Sequence, residues 1–238
     1  MQKPTIPISE IKGQTHFAII TIRLDEYDAV EKHLKNPRTV EGGNNSYEYA
    51  TVKTTAGSEI AVALTRCVGQ GNLSAQAVAN NIINEIDPAW LLLVGIAGGV
   101  PDHEFNLGDV VLASSLSDFS FGAANPGQVV TYHVGGGSMH ADVDRFLQTK
   151  IAGRNRGKLL QLAGFKVSKE YARHPVVFKQ KTPRESLFYG DPDFQKKVRR
   201  ILEARFPDGK RKSGVRVWAG ACANGNLLVK DTDLLKHW

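Results

Sequence analysis

Long apolar runs and cysteine are scarce in this chain, and each scarcity removes a class of protein. No apolar stretch approaches the roughly 20 residues that a membrane-crossing helix needs, so no membrane partner is expected. The opening segment, MQKPTIPISEIKGQTH, lacks the apolar middle of a secretory signal. Cysteine occurs only as Cys67 and Cys222, far apart and without metal-type spacing. Each reads as a small apolar residue in a reducing compartment rather than as half of a disulfide, and a cytoplasmic protein is expected. Internal repeats and low-complexity linkers are also missing.

What is present is ordinary globular material. The 238 residues are 42% hydrophobic and 23% charged, enough for one large α/β domain with a sizeable core. The net charge of +6 is unevenly spread: residues 145–216 hold 20 Lys or Arg against 6 Asp or Glu, and the remainder 10 against 18. The basic residues come in short clusters (RNRGK, KKVRR, KRK) with no aromatic side chains interleaved. Such a segment reads first as a solvated surface or an insertion. Nucleotide phosphates are its second use, and nucleic acid is not expected as a partner.

Apolar periodicity places the elements. HFAIITI, residues 16–22, reads as a strand, and apolar residues at 24, 27, 30 and 34 give helical spacing after it. Residues 47–55 and 59–66 read as strands around Ala56-Gly57-Ser58. A Gly-x-Gly turn at Gly69 and Gly71 opens a helix that stops before Asp87-Pro88. Strands follow at 90–96 and 109–115, then a Gly-rich loop with scattered aromatics from Phe119 to Gly137. Helices are expected at 141–149, 155–163 and 192–205, a strand at 215–221, and a further helix from Thr232. Alternation of this kind points to a layered α/β fold.

Three strand ends share a character. One runs into Asp25 and Glu26, one into Gly95-Ile96-Ala97-Gly98-Gly99, and one into Ala223-Asn224-Gly225-Asn226. Glycine weakens strands, so three glycines within five residues mark either a tight turn or backbone that approaches something closely. Ligands of open α/β sheets sit beyond the carboxyl ends of strands, and a small polar ligand suits these residues.

At these segments the sequence resembles the nucleoside phosphorylase and nucleosidase superfamily. VGIAGGVPDHEFNLGDVVLAS is similar to that family's "(V/T)G-x-(A/C)-G-(G/A)" signature followed by its "(V/L)-G-D-(V/I)-V" strand. GQGNLSAQAVANNII resembles its Gly-x-Gly helix start, FAIITIRLDEYDAV its first strand and carboxylate, and ACANGNLLVKD its "SGD-x-(F/L)-(I/V)" segment. The resemblance runs from about residue 16 to 235, apart from a basic insertion at about 150–210, and leaves 1–15 as an N-terminal extension. It implies a single domain with a central twisted mixed sheet, partly barrel-like, flanked by helices. It further implies a purine nucleoside or nucleotide as ligand, a homo-oligomer and no cofactor. Some members act as nucleotide-depleting effectors in bacterial defence.

Carried over position by position, the resemblance makes Glu26 the base that activates water. The other reading of Glu26 is a first-turn acid favoured by the helix dipole, which fits Asp25 better. Gly95, Ile96, Ala97 and Gly98 become a lip whose backbone lies against ribose and purine. Leu228 and Val229, with Asn226, match purine-holding positions, though two ordinary core residues would look the same. Phe119 falls in the loop that reaches over the sugar or base in relatives; Phe121, Tyr132 and His133 share that loop, and core packing is the other reading for each. Gly69, Gly71 and Asn72 open a helix that could face an anion.

Departures from the family pattern bear on the reaction. Ile96 stands where relatives commonly have serine, Leu93 where bacterial phosphorylases carry a phosphate-binding arginine, and no "G-D-P-x-R" loop occurs at 21–25. Water is therefore the expected nucleophile, with phosphorolysis as the alternative and a non-catalytic nucleotide-sensing module as another. The family's "(V/E)-M-E" segment and its later purine-protonating aspartate would follow Trp238, so the domain is expected to be incomplete at its C-terminus.

Overall fold

The computed structural model describes residues 4–54, 56–98, 110–123, 131–148, 193, 196, 200 and 217–225. They divide into two compact units, one ending at Gly98 and the other beginning at Gly99.

The first unit is a six-stranded sheet with helices on both faces. Its strands are β1 (Thr5–Pro7), β2 (Phe17–Thr21), β3 (Arg38–Glu41), β4 (Ser46–Lys53), β5 (Glu59–Arg66) and β6 (Trp90–Leu93), in the order β1-β3-β4-β5-β2-β6. Only β4 runs antiparallel to its neighbours; β5, β2 and β6 are mutually parallel, with Thr21 beside Arg66 and Ile20 beside Leu93. Side chains alternate across a strand, so one register serves two cores. Ala18 and Ile20 of β2 join Ala61 and Ala63 of β5 and Tyr47 and Tyr49 of β4, packed with Ile82 and Ile86 of α2 (Asn72–Ile86). The intervening residues, Phe17, Ile19, Val62, Leu64 and Ala50, meet Tyr27 and Val30 of α1 (Leu24–Glu31) and Leu34 beyond it. The expected mixed sheet flanked by helices is therefore present.

Local chemistry sets the helix limits. α2 starts at Gly71, whose φ of 104° suits glycine alone, and ends where Asp87 turns left-handed at φ 46° before Pro88. Residues 5–11, taken from sequence as part of an extension, are tied into the unit. β1 pairs in parallel with β3, and Ile11 is buried among the residues facing α2.

The second unit holds a three-stranded sheet, with β7 (Val110–Ala123) between β8 (Thr131–Ser138) and β9 (Val217–Asn224). β8 pairs antiparallel and β9 parallel to β7. α3 (Ala141–Phe146) follows β8, and a small core joins Leu147 and Val217 with Leu112 and Val143. This corrects the loop expected from Phe119 to Gly137: residues 119–123 continue β7, and residues 131–137 belong to β8. One of the glycines that suggest a loop serves the pairing. Gly136 has φ 102°, and a side chain there would collide with the Leu116 carbonyl of β7.

Candidate active site

The parallel trio β5-β2-β6 ends along one edge of the first unit, and Glu26 stands there. β2 stops at Thr21, and two residues later Arg23, in extended conformation at φ −86°, caps α1. Glu26 is then the third residue of the helix, the position from which a glutamate reaches back to the cap backbone. Its Oε2 accepts hydrogen bonds from the amides of Ile22 (3.1 Å) and Arg23 (2.9 Å). Its Oε1 accepts a third, from the amide of Ile96, at 2.8 Å. That last bond crosses 70 residues of sequence and ties the first helix to the segment after β6.

Only 8% of Glu26 is exposed. Burial pushes its carboxyl up, but the amides of Arg23, Ile96 and Ile22 together prevail and leave it below the usual glutamate value, with Asp25 opposing weakly. The carboxylate is therefore ionised at neutral pH. Among the described residues, Oε1 accepts one of these three bonds and Oε2 two, so Oε1 keeps a lone pair for a further donor.

The glycine lip now has a physical reason. A β-carbon on Gly95 would stand 3.1 Å from Oε1 and 3.4 Å from the carboxyl carbon of Glu26. Glycine leaves room for the carboxylate and lets the next amide donate to it. Ile96, Ala97 and Gly98 continue the lip exposed, Ile96 at 73%. Leu93, at the end of β6, is exposed as well.

Asp25, one residue earlier, is held differently. Its Oδ1 and Oδ2 take Arg23 Nε and Nη2, each at 2.8 Å, on the surface. The guanidinium lowers the Asp25 carboxyl and is itself raised in return. Both acids stand in the first turn of α1: Asp25 pairs with Arg23 at the surface, whereas Glu26 accepts the cap amide and also reaches the amide of Ile96.

At the end of β5 the chain passes through Cys67, buried at 1% exposure, whose amide donates to the Thr21 carbonyl (2.7 Å) and whose thiol donates to the Gly69 carbonyl (3.0 Å). These bonds hold the Gly-x-Gly turn before α2, and a side chain on Gly69 would collide with Ser74.

Of the residues expected at the site, Glu26, Gly95 and Ile96 are brought together, with Ala97 and Gly98 following on the same lip. Phe119 belongs to the second unit, where it is buried on β7 rather than carried by a loop. Tyr132 and His133 pair on β8 with Gly122 and Phe121. Asn226, Leu228 and Val229 lie outside the described residues, as do Arg154, Arg156, Lys158 and Arg199 of the basic segment. Among the described residues, no group of three or more His, Cys, Asp or Glu could hold a metal ion, and no helix is long and apolar enough to cross a membrane.

Sequence reading passed over Arg66, the last residue of β5. In the sequence it is a single arginine closing an apolar strand immediately before Cys67-Val68-Gly69-Gln70-Gly71.

Known proteins resemble the chain at several levels. A methylthioadenosine/S-adenosylhomocysteine nucleosidase of S. pneumoniae, solved with a transition-state inhibitor, is 17% identical, with a TM-score of 0.47 over 93% of this chain and 69% of that one. The corresponding nucleosidase of Campylobacter jejuni is 16% identical, with a TM-score of 0.45 over 94% and 70%. A death domain-containing ATP nucleosidase of Amphimedon queenslandica is 33% identical over 58 residues, a stretch that makes up 24% of this chain and 11% of that relative. Residues 16–234 match the phosphorylase superfamily, and the chain belongs to that family.

Proposed function

We propose that this chain hydrolyses the N-glycosidic bond of a purine nucleoside or nucleotide, with Glu26 as the base that activates water. The observation that carries the reading is the ionised, backbone-held carboxylate at the carboxyl ends of parallel strands, with one lone pair still open. Family membership supports glycosidic chemistry. The short match to a relative named as an ATP nucleosidase supports a nucleotide as the substrate.

The bond between the anomeric carbon and the purine nitrogen breaks with its electron pair leaving on the base. The sugar becomes oxocarbenium-like, and the leaving purine takes up a proton from solvent. A negative carboxylate beside the sugar stabilises that cation, and its open lone pair accepts a proton from water as the water oxygen bonds to the anomeric carbon. A carboxylate held by three amides is fixed in place and ionised as the step begins, and it passes the proton it takes up to solvent afterwards. The exposed glycine lip lets backbone approach the ligand where side chains would hold it away. Leu93 and Ile96, where the family resemblance places phosphate donors, are apolar and exposed, which favours water over phosphate.

Product analysis tests this. Free base is expected in phosphate-free buffer, with ribose or ribose phosphate as co-product. Strict dependence on inorganic phosphate, with ribose 1-phosphate formed, would replace hydrolysis by phosphorolysis.

A further inference from the structure

Charge at the carboxyl edge of β5-β2-β6 divides into one neutralised pair and two isolated groups. Among the described residues of this edge, the charged side chains are Arg23, Asp25, Glu26 and Arg66. Arg23 and Asp25 cancel in a two-bond surface pair. Glu26 is satisfied by backbone amides, so it needs no cation. Arg66 remains: it closes β5 in register with Thr21 and is half-buried. It forms no ion pair with a carboxylate among the described residues. Its guanidinium offers a fixed fork of donors that no carboxylate among the described residues takes, and a multiply charged oxyanion fits that fork.

One further feature favours an anion there. Alternation along β5 puts Arg66 on the face of Val62 and Leu64, where α1 packs, so it shares a side of the sheet with the helix that carries Glu26.

We infer that Arg66 binds the phosphate chain of a nucleotide substrate whose sugar faces Glu26. The inference rests on the nucleosidase reading of the Glu26 site and adds the substrate class: a purine nucleoside phosphate rather than the free nucleoside. Negative Glu26 meets the sugar, where positive charge develops, and positive Arg66 meets the phosphates, where negative charge is permanent. Arg23 already shares its charge with Asp25, whereas Arg66 has no carboxylate partner among the described residues.

Equilibrium binding of ATP, AMP, adenosine and inorganic phosphate to the full chain tests this, with Arg66→Gln and Arg66→Lys beside the parent. Arg66 lies at a strand end, and a circular-dichroism melt confirms that each variant folds. The parent is expected to bind the nucleotides more tightly than adenosine. Arg66→Gln is expected to weaken nucleotide binding by about tenfold or more, the usual scale of a charge-assisted hydrogen bond, with adenosine unchanged. Arg66→Lys should restore part of the loss. Equal affinity of the parent for nucleotide and nucleoside would overturn the Arg66 role and leave the Glu26 reading standing, as would equal losses for both ligands in Arg66→Gln. Inorganic phosphate that enhances adenosine binding through Arg66 would reassign the residue to a separate phosphate and overturn the inference. Binding of neither nucleotide nor nucleoside by the parent would overturn both readings.

Discussion

Glu26 and Glu85 are two carboxylates in the first unit, and they are satisfied in opposite ways. Glu85, in the last turn of α2, accepts from the Asn44 amide at 2.7 Å, from Asn44 Nδ2 at 3.0 Å and from the Tyr47 hydroxyl at 2.5 Å. Two of those three donors are side chains, and Asn45 Nδ2 donates in turn to the Tyr47 oxygen at 3.2 Å. Burial, followed by the bond to Glu85, keeps the Tyr47 phenol protonated far above its ordinary value. The result is a latch that ties the β3–β4 turn to α2. Glu26 takes backbone amides alone, sits where three parallel strands end and keeps acceptor capacity on Oε1. A carboxylate enclosed by side-chain donors holds structure together, whereas one held from behind by backbone can also act on a ligand. Each has a glycine against it, Gly42 beside Glu85 and Gly95 beside Glu26, and substitutions there separate the two roles.

The largest effect on stability is expected at the latch. A β-carbon on Gly42 would overlap the Glu85 carboxylate and stand 2.8 Å from the Asn45 carbonyl, so Gly42→Ala must displace the turn. A stability loss of about 2 kcal/mol is expected in urea titration, with turnover of the folded fraction unchanged. A drop in kcat with stability retained would reverse the assignment. Gly95→Ala should show the opposite split. The neighbouring carboxylate must give by a few tenths of an ångström, which costs under about 1 kcal/mol of stability. A displaced catalytic group should lower kcat roughly tenfold. Equal losses in both quantities would make Gly95 a packing residue only.

Much of this comparison was legible in the sequence. The β2 and β5 runs, the Gly-x-Gly start of α2 and its stop at Asp87-Pro88 follow from local periodicity and turn chemistry, and the structure has them. Glu26 and the Gly95 lip were legible as strand ends, but the amide of Ile96 that joins them depends on β2 and β6 lying side by side. β1 and β3 escaped notice because each is short and β1 ends in Pro7, so long-range pairing rather than propensity makes them strands. β8 was read as loop because Gly135, Gly136 and Gly137 resemble a breaker. Of the three, Gly136 is required by the close passage of β7, which no local pattern announces. Arg66 went unremarked because one arginine at a strand end has no signature until its neighbours prove to be neutralised or satisfied.

Acidification gives the smallest and most specific effect. The folded carboxyl of Glu26 lies below its unfolded value, so its contribution to stability is complete above the ordinary glutamate range, near about 4.3, and is lost as pH falls through the folded value. Urea stability of the parent and of Glu26→Gln should therefore differ most at neutral pH and converge in acid. A difference that grows on acidification would mean that Glu26 is protonated in the native state, contrary to its three amide donors.

Turnover by Glu26→Gln tests the central claim most directly, since the amide preserves the shape of the side chain and removes the base. Base release measured in phosphate-free buffer, on protein shown to be folded by circular dichroism, is expected to fall by roughly 100- to 10,000-fold. Release within about threefold of the parent, far below that range, would contradict it and leave Glu26 as a helix cap.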